Sequence, residues 1–355
     1  MSGAGPVSAA AAEPLDPAAR ARLEAWLVRA LGARALRLGS VARLSGGAIQ
    51  ENLGLELEIE GGSRAGRHAL VLRRDAPSTV AVSRSRLEEY ALLEAAHRAG
   101  VPVPEPWAAC ADPAVLGKPF YLMAKVAGEA RGARLVKDPA VLARGSELAA
   151  ELGRALARIH ALRPPLPELP FLSTPADPLA ERIAQLRGHL DALGEPQPVL
   201  EWGLRLLERA RPGSGEITLV HADFRTGNLM LREGRLVAVL DWEFATLSDP
   251  LEDLGWMLAK CWRFGAVERE CGGLGPREPF LSAYEAASGR RVDRRAVRFF
   301  ELLATLRWAV VALLQAERHE SGRERSLELA LTAHIVPQLE ADVLDYAALL
   351  EGTGP

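Results

Sequence analysis

The segment LVHADFRTGNLM, Leu219–Met230, sets His221, Asp223, Arg225 and Asn228 among mostly apolar neighbours. A plain connection between secondary-structure elements does not need so many polar groups. The next eleven or so residues narrow the fold further. Leu229 and Met230 open a strand, REGR is a turn, and LVAVLDW is a second strand that ends in Asp241. A hairpin of this kind brings the loop ahead of one strand close to the residue closing the other. Asp223, Asn228 and Asp241 are therefore expected to converge on one small volume. Singly, these residues have plainer uses. A loop Asp forms turns or caps, an Asn ahead of a strand satisfies backbone groups, and His221 reads equally as a packed, hydrogen-bonded histidine. The joint spacing, H-x-D-x-x-x-x-N with a strand-ending Asp and an aromatic residue after it, is what points to chemistry.

The surrounding 355 residues are enough for two lobes. The first part reads as helix and antiparallel sheet. A helix is expected from about Pro17 to Leu31. Leu53, Leu55, Leu57 and Ile59 recur at period two, as in a half-buried strand. RHALVLRRD, Arg67–Asp75, is a further strand. RSRLEEYALLEAAHRAG is a helix, with Leu87, Tyr90 and Leu92 or Leu93 on its apolar stripe; Gly100 ends it and Pro102 blocks its continuation. GKPFYLMAKVAG is another strand. Beyond it helices dominate. Leu148, Leu152, Leu156 and Ile159 share one helical face, and two more helices are expected over 178–193 and 198–210. The expected organisation is a disordered lead-in over 1–20, a small α+β lobe over 21–125 and a larger, mostly helical lobe over 126–350.

Composition removes several function classes. Charged residues make up 25% of the chain and the formal net charge is -3, so no basic field points to nucleic acid or an anionic membrane. Cys110, Cys261 and Cys271 are isolated, which suggests neither a zinc site nor a disulfide framework and fits a reducing, cytoplasmic setting. The opening MSGAGPVSAAAAEPLDPAAR lacks a basic start leading into an apolar core and does not read as a signal peptide. No apolar run approaches the ~20 residues of a membrane span. Nothing in the sequence sets an oligomeric state.

Convergence of Asp223, Asn228 and Asp241 suits phosphoryl transfer. That reaction needs a carboxylate at the attacking hydroxyl and oxygen ligands that hold Mg²⁺ on nucleotide phosphates. The motifs VHADFRTGNLM and LDWEFATLSDPLEDLGW resemble the aminoglycoside phosphotransferase-like family of the kinase-like fold, in the branch of the kinase-like domains of the acyl-CoA dehydrogenase 10/11 proteins. The resemblance covers roughly residues 23 to 345. It implies a bilobal protein-kinase-like fold and an ATP- and Mg²⁺-dependent phosphotransferase. Asp223 matches the catalytic base, Asn228 and Asp241 the magnesium ligands, and His221 the histidine supporting the loop. Arg225, usual in this branch, is expected at a phosphate, at a substrate group or paired with a carboxylate. Asp249 and Asp253 match an acidic pair that braces neighbouring loops or caps a helix.

On the nucleotide side, SGGAIQEN lies where the family has its phosphate-covering loop, which assigns Ser45, Gly46 and Gly47. Without the other motifs the same stretch reads as a hairpin turn. Arg73 occupies the place of the usual phosphate-pairing Lys, with Arg74 facing the other side of an ideal strand. Glu89 matches the helix glutamate that pairs with that cation; Glu88, about 100° away around the helix, competes with it. Backbone around Met123 to Lys125 is expected at the adenine edge. The acceptor is a small molecule with a hydroxyl. The helical half carries Arg263, Arg269, Arg277, Arg290, Arg291, Arg294 and Arg295 and no concentrated acidic tract, which favours a neutral or anionic compound, such as a hydroxyacyl-CoA-like one. An antibiotic kinase and a non-catalytic, pseudokinase-like nucleotide-binding protein are the alternatives.

Overall fold

The computed structural model describes residues 14–44, 50–75, 84–213 and 215–352. The chain divides into two compact units, Met1–Glu94 with Pro104–Lys125, and Ala95–Val103 with Val126–Pro355.

In the first unit, helix α1 (Pro17–Ala30) starts where Asp16 accepts the N–H of Ala19 at 2.7 Å and Pro17 fills the first turn. The expected lead-in over 1–20 is therefore too long: residues 17–20 are helical, and Leu15 and Ala19 are buried. There follow β1 (Ala35–Arg43), β2 (Gln50–Glu60), β3 (Gly66–Asp75), α2 (Arg86–Arg98), β4 (Pro106–Cys110), α3 (Pro113–Leu116) and β5 (Phe120–Ala124). The strands form one antiparallel sheet in the order β1-β2-β3-β5-β4. Leu53, Leu55, Leu57 and Ile59 all point to one face, which packs with Leu70, Leu72, Phe120 and Leu122 against Leu23 and Leu27 of α1. Strand alternation then turns Arg73 to the face opposite Leu72. Helix α2 departs from the expected stripe. Leu87 and Tyr90 are only half-buried, while Arg86, Glu89, Leu93 and Ala96 are buried. Charges can occupy an inward face because they pair there.

The second unit continues with α4 (Gly132–Leu135), α5 (Pro139–Ala143), α6 (Gly145–Ile159), α7 (Pro178–Leu193) and α8 (Pro198–Arg209). Then come β6 (Thr218–Val220), β7 (Leu229–Arg232), β8 (Arg235–Val239), β9 (Thr246–Ser248), α9 (Leu251–Leu258), α10 (Arg277–Ser288), α11 (Arg294–Glu320), α12 (Leu327–Thr332) and α13 (Val336–Glu351). Proline in the first turn starts both α7 and α8, and Gly194 in the left-handed region closes α7. Leu148, Leu152, Leu156 and Ile159 are fully buried along α6. Phe299, Phe300, Leu303 and Leu306 of α11 form the centre of a core shared with α7, α8 and α13. Two small antiparallel pairs, β6 with β9 and β7 with β8, carry the loops of interest. Among the described residues no helix is long and apolar enough to cross a membrane.

Candidate active site

The loop between β6 and β7 and the end of β8 meet as the hairpin requires. Leu229 pairs with Val239, and the N–H of Leu240 donates to the Asn228 carbonyl at 2.8 Å, so Asp241 comes directly after the residue paired with Asn228. Asp223 and Asn228 touch: Asn228 Nδ2 lies 2.5 Å from Asp223 Oδ2 and 3.0 Å from the Asp223 carbonyl. His221 links the two sides. Its Nδ1 accepts the N–H of Asp223 at 3.2 Å, and its Nε2 lies 2.9 Å from the Leu240 carbonyl. The tautomer with hydrogen on Nε2 satisfies both bonds, so His221 braces the loop.

The backbone is held in unusual conformations at this place. Ala222 has φ 61° and Asp241 has φ 60°, both in the left-handed region that costs a non-glycine residue about 1 kcal/mol or more. Asp253, buried at the start of α9, stabilises the first of these. Its Oδ2 accepts the His221 N–H at 2.7 Å and its Oδ1 the Ala222 N–H at 2.8 Å. His160 Nε2 lies 3.1 Å from Asp253 Oδ2, and His160 Nδ1 lies 2.9 Å from the Tyr284 hydroxyl. Burial pushes the Asp253 carboxyl up, but His160, His221 and the backbone N–H outweigh it and leave it below the usual range. Burial dominates at His160, which is pushed down and stays neutral. Asp249 is different. It accepts the Leu251 N–H at 2.8 Å, capping α9, yet burial raises its carboxyl to about 6.

Trp256 and Arg225 hold the Asp223 carboxylate, and Arg307 holds the backbone just ahead of it. The Trp256 indole N–H donates to Asp223 Oδ1 at 2.9 Å, and Arg225 Nε donates to the same oxygen at 3.0 Å. Arg307 Nη1 donates to the Ala222 carbonyl at 2.8 Å, and burial lowers its guanidinium to about 10. Thr226 anchors the far end of the loop through a 2.7 Å bond to the Gly272 carbonyl. Gly272 has φ +55°, and a Cβ there would lie 2.4 Å from Thr226 Oγ1, so only glycine fits. Trp256, His160, Arg307 and Gly272 escape sequence reasoning because they join the loop from elsewhere in the chain. Trp256 carried one usable signal, an indole N–H that needs a partner when buried.

On the first unit, Arg73 Nη2 pairs with Glu89 Oε1 at 3.1 Å, both buried. Arg74 instead pairs with Glu51 at 2.6 Å on the other side of β3. Glu88 is engaged locally: its carboxylate accepts the N–H of Ser85 at 2.9 Å, and Ser85 Oγ accepts the Glu88 N–H at 3.3 Å. This is a capping box, S-x-x-E. Arg86, which carries no signal in the sequence, also pairs with Glu89 and reaches Asp75 at 2.9 Å. The N–H of Lys125 donates to the Ala69 carbonyl and that of Ala124 to the Glu105 carbonyl, so the sheet occupies these donors. Met123 is half-buried, paired with Val71. Ser45, Gly46 and Gly47 lie outside the described residues.

The donors fit magnesium better than a softer metal. Among the described residues no group of three or more His, Cys, Asp or Glu side chains gathers to hold a metal. Mg²⁺ does not need one; it binds through one or two protein oxygens and keeps water and phosphate for the rest. The Asn228 amide nitrogen is committed to Asp223, which leaves its Oδ1 as the atom that would hold a metal. A polar cavity of about 330 Å³ lies in the second unit, lined by Ser173, Glu181, Arg182, Gln185, Thr246 and Ser248 among others. Thr246 pairs with Val220, the residue ahead of His221.

The chain is similar to acyl-CoA dehydrogenase family member 11 of Pongo abelii, 28% identical over 295 residues, which are 77% of this chain and 37% of that protein. It thus spans little more than a third of that relative's length. Its fold is similar to that of a Ralstonia eutropha protein provisionally classed as an aminoglycoside phosphotransferase, with a TM-score of 0.72, 22% identity, and 93% and 98% of the two chains covered. It is also similar to a spectinomycin phosphotransferase in complex with ADP and spectinomycin, with a TM-score of 0.62, 11% identity, and 94% and 99% covered. These likenesses show a kinase-like fold. Residues 40–300 match the phosphotransferase enzyme family, and the chain belongs to it.

Proposed function

We propose that the protein is an ATP- and Mg²⁺-dependent kinase acting on a hydroxyl of a small molecule. The observation that carries this reading is the contact of Asp223 with Asn228, on a hairpin whose register sets Asp241 beside Asn228. Asp223 orients the acceptor hydroxyl and receives its proton. Asn228 Oδ1 and the Asp241 carboxylate hold magnesium, which when bound neutralises charge on the phosphate oxygens. Arg73, fixed by Glu89, supplies a further positive charge for phosphate. A relative in fold was solved with ADP, which supports a nucleotide donor.

The acceptor is a neutral or anionic hydroxyl compound. The cavity near β9 supports this: its wall sets Arg182 beside Glu181, whereas a polycationic aminoglycoside needs several carboxylates. Incubating the purified chain with Mg–ATP and a panel of hydroxyl metabolites tests the reading through ADP release. Turnover with at least one such compound is expected. Failure to bind Mg–ATP or to consume it with any acceptor removes the proposal. Strong turnover with aminoglycosides alone would replace it with the antibiotic-kinase reading.

A further inference from the structure

The Asp223 carboxylate receives three donors, unevenly shared. Oδ1 accepts from Arg225 Nε at 3.0 Å and from Trp256 Nε1 at 2.9 Å, while Oδ2 accepts from Asn228 Nδ2 at 2.5 Å. An ionised carboxylate offers about four lone-pair directions, two on each oxygen. Oδ1 is thereby filled, and one direction is left, on Oδ2.

Each donor on Oδ1 is held by stacking: Arg225 lies on an indole face, and Trp256 carries a guanidinium on its own. The Arg225 guanidinium lies 4.4 Å over the Trp262 ring, the Arg307 guanidinium lies 4.4 Å over the Trp256 ring, and the two indoles are 5.2 Å apart. Such stacking fixes a planar group while leaving its hydrogen-bonding edge available. Gly227 makes room for it: at φ +114° it has no Cβ, and one added there would lie 2.7 Å from Arg225 Nη1. Trp256 also sits one turn along α9 from Asp253, which holds the His221 and Ala222 N–H groups. One helix therefore sets both the loop backbone and the carboxylate orientation.

We infer that Trp256 and Arg225 are positioning residues that block Oδ1 and reserve Oδ2 of Asp223 for the acceptor hydroxyl. Asn228 fixes the same oxygen from its other side, which couples the orienting carboxylate to a proposed magnesium ligand. This rests on the kinase reading of Asp223. It also gives Arg225 a task distinct from binding phosphate.

Trp256→Phe keeps a ring and removes the N–H; Arg225→Met keeps much of the stem and removes the donor. ADP release by the full chain is measured against ATP concentration, with Mg²⁺ present and water as acceptor. Each variant should lower kcat about tenfold and leave KM for ATP within about twofold, the pattern of one lost bond to a charged group. The double variant should fall by less than the product of the two losses, because both donors hold one oxygen. Arg225 is 26% exposed, so its variant reports even if Trp256→Phe fails to fold. Parent-like kcat in the variants, or losses confined to KM for ATP, overturns the assignment. A parent that releases no ADP with water or with any compound of the hydroxyl panel overturns the kinase reading itself, a separate result from an active parent with equally active variants.

Discussion

Glu89 in the first unit and Asp253 in the second are both buried carboxylates, held by opposite kinds of partner. Glu89 lies between the guanidiniums of Arg73 and Arg86. Asp253 accepts two backbone N–H groups and a neutral imidazole. The first arrangement matches charge with charge and fixes long side chains. The second commits a charge to main-chain donors and fixes a left-handed loop. Asp249, four residues from Asp253, completes the contrast. It is buried with one backbone N–H, from Leu251, and burial raises it to about 6. The partner, more than burial, decides which protonation state a carboxylate keeps.

The largest expected effect is at Asp253. Asp253→Ala leaves the His221 and Ala222 N–H groups buried without their acceptor, and should cost about 4 kcal/mol in urea unfolding. A loss under about 1 kcal/mol would show that the loop holds its own backbone. Asp249 comes next and is read by pH. Its folded-state pKa, about 6, lies above the ordinary 3.8, so the folded protein keeps a proton that the unfolded chain releases between those values. Its contribution to stability is full below about pH 4 and is lost as pH rises through 6, by roughly 3 kcal/mol in total. Asp249→Asn preserves the cap and removes that decline, so the variant should exceed the parent in stability at pH 7 and match it near pH 4. Equal stabilities at both pH values would place Asp249 with the ionised carboxylates.

Glu89→Gln removes the charge between Arg73 and Arg86 and should cost about 2 kcal/mol, relieved in part because the amide oxygen still accepts. If it cost more than Asp253→Ala, the ordering of charge and main-chain partners would be reversed. The smallest effect is Ser85→Ala, which breaks the capping box and should cost about 1 kcal/mol. It should leave the Arg73–Glu89 pair intact; a change as large as that of Glu89→Gln would mean that Glu88 and Glu89 do not act separately.

These contrasts also mark what could be read from sequence. Period-two leucines announced β2, and the helices expected over 178–193 and 198–210 are α7 and α8. The meeting of Asp223 with Asn228 came from local spacing, because a hairpin is a short-range structure. The choice between Glu88 and Glu89 was also legible: Ser85 three residues ahead of Glu88 is a capping-box signature, which occupies Glu88 locally. Arg86 was hidden because a buried arginine looks like a surface one until its partners are known. Asp253 came only from the family resemblance, while His160 reaches Asp253 across 93 residues of chain and Trp256 reaches Asp223 across 33. Periodicity carries no information at that range. It also cannot show that backbone donors are already occupied, as at Ala124 and Lys125.

The most direct test of the central claim compares parent and Asp223→Asn for Mg–ATP binding by calorimetry and for ADP release with a hydroxyl acceptor found in the screen. Asparagine keeps the shape and one oxygen but cannot take the hydroxyl proton. Binding should be unchanged within about twofold while kcat falls by about a thousandfold. Equal turnover in the two proteins would contradict the assignment of Asp223.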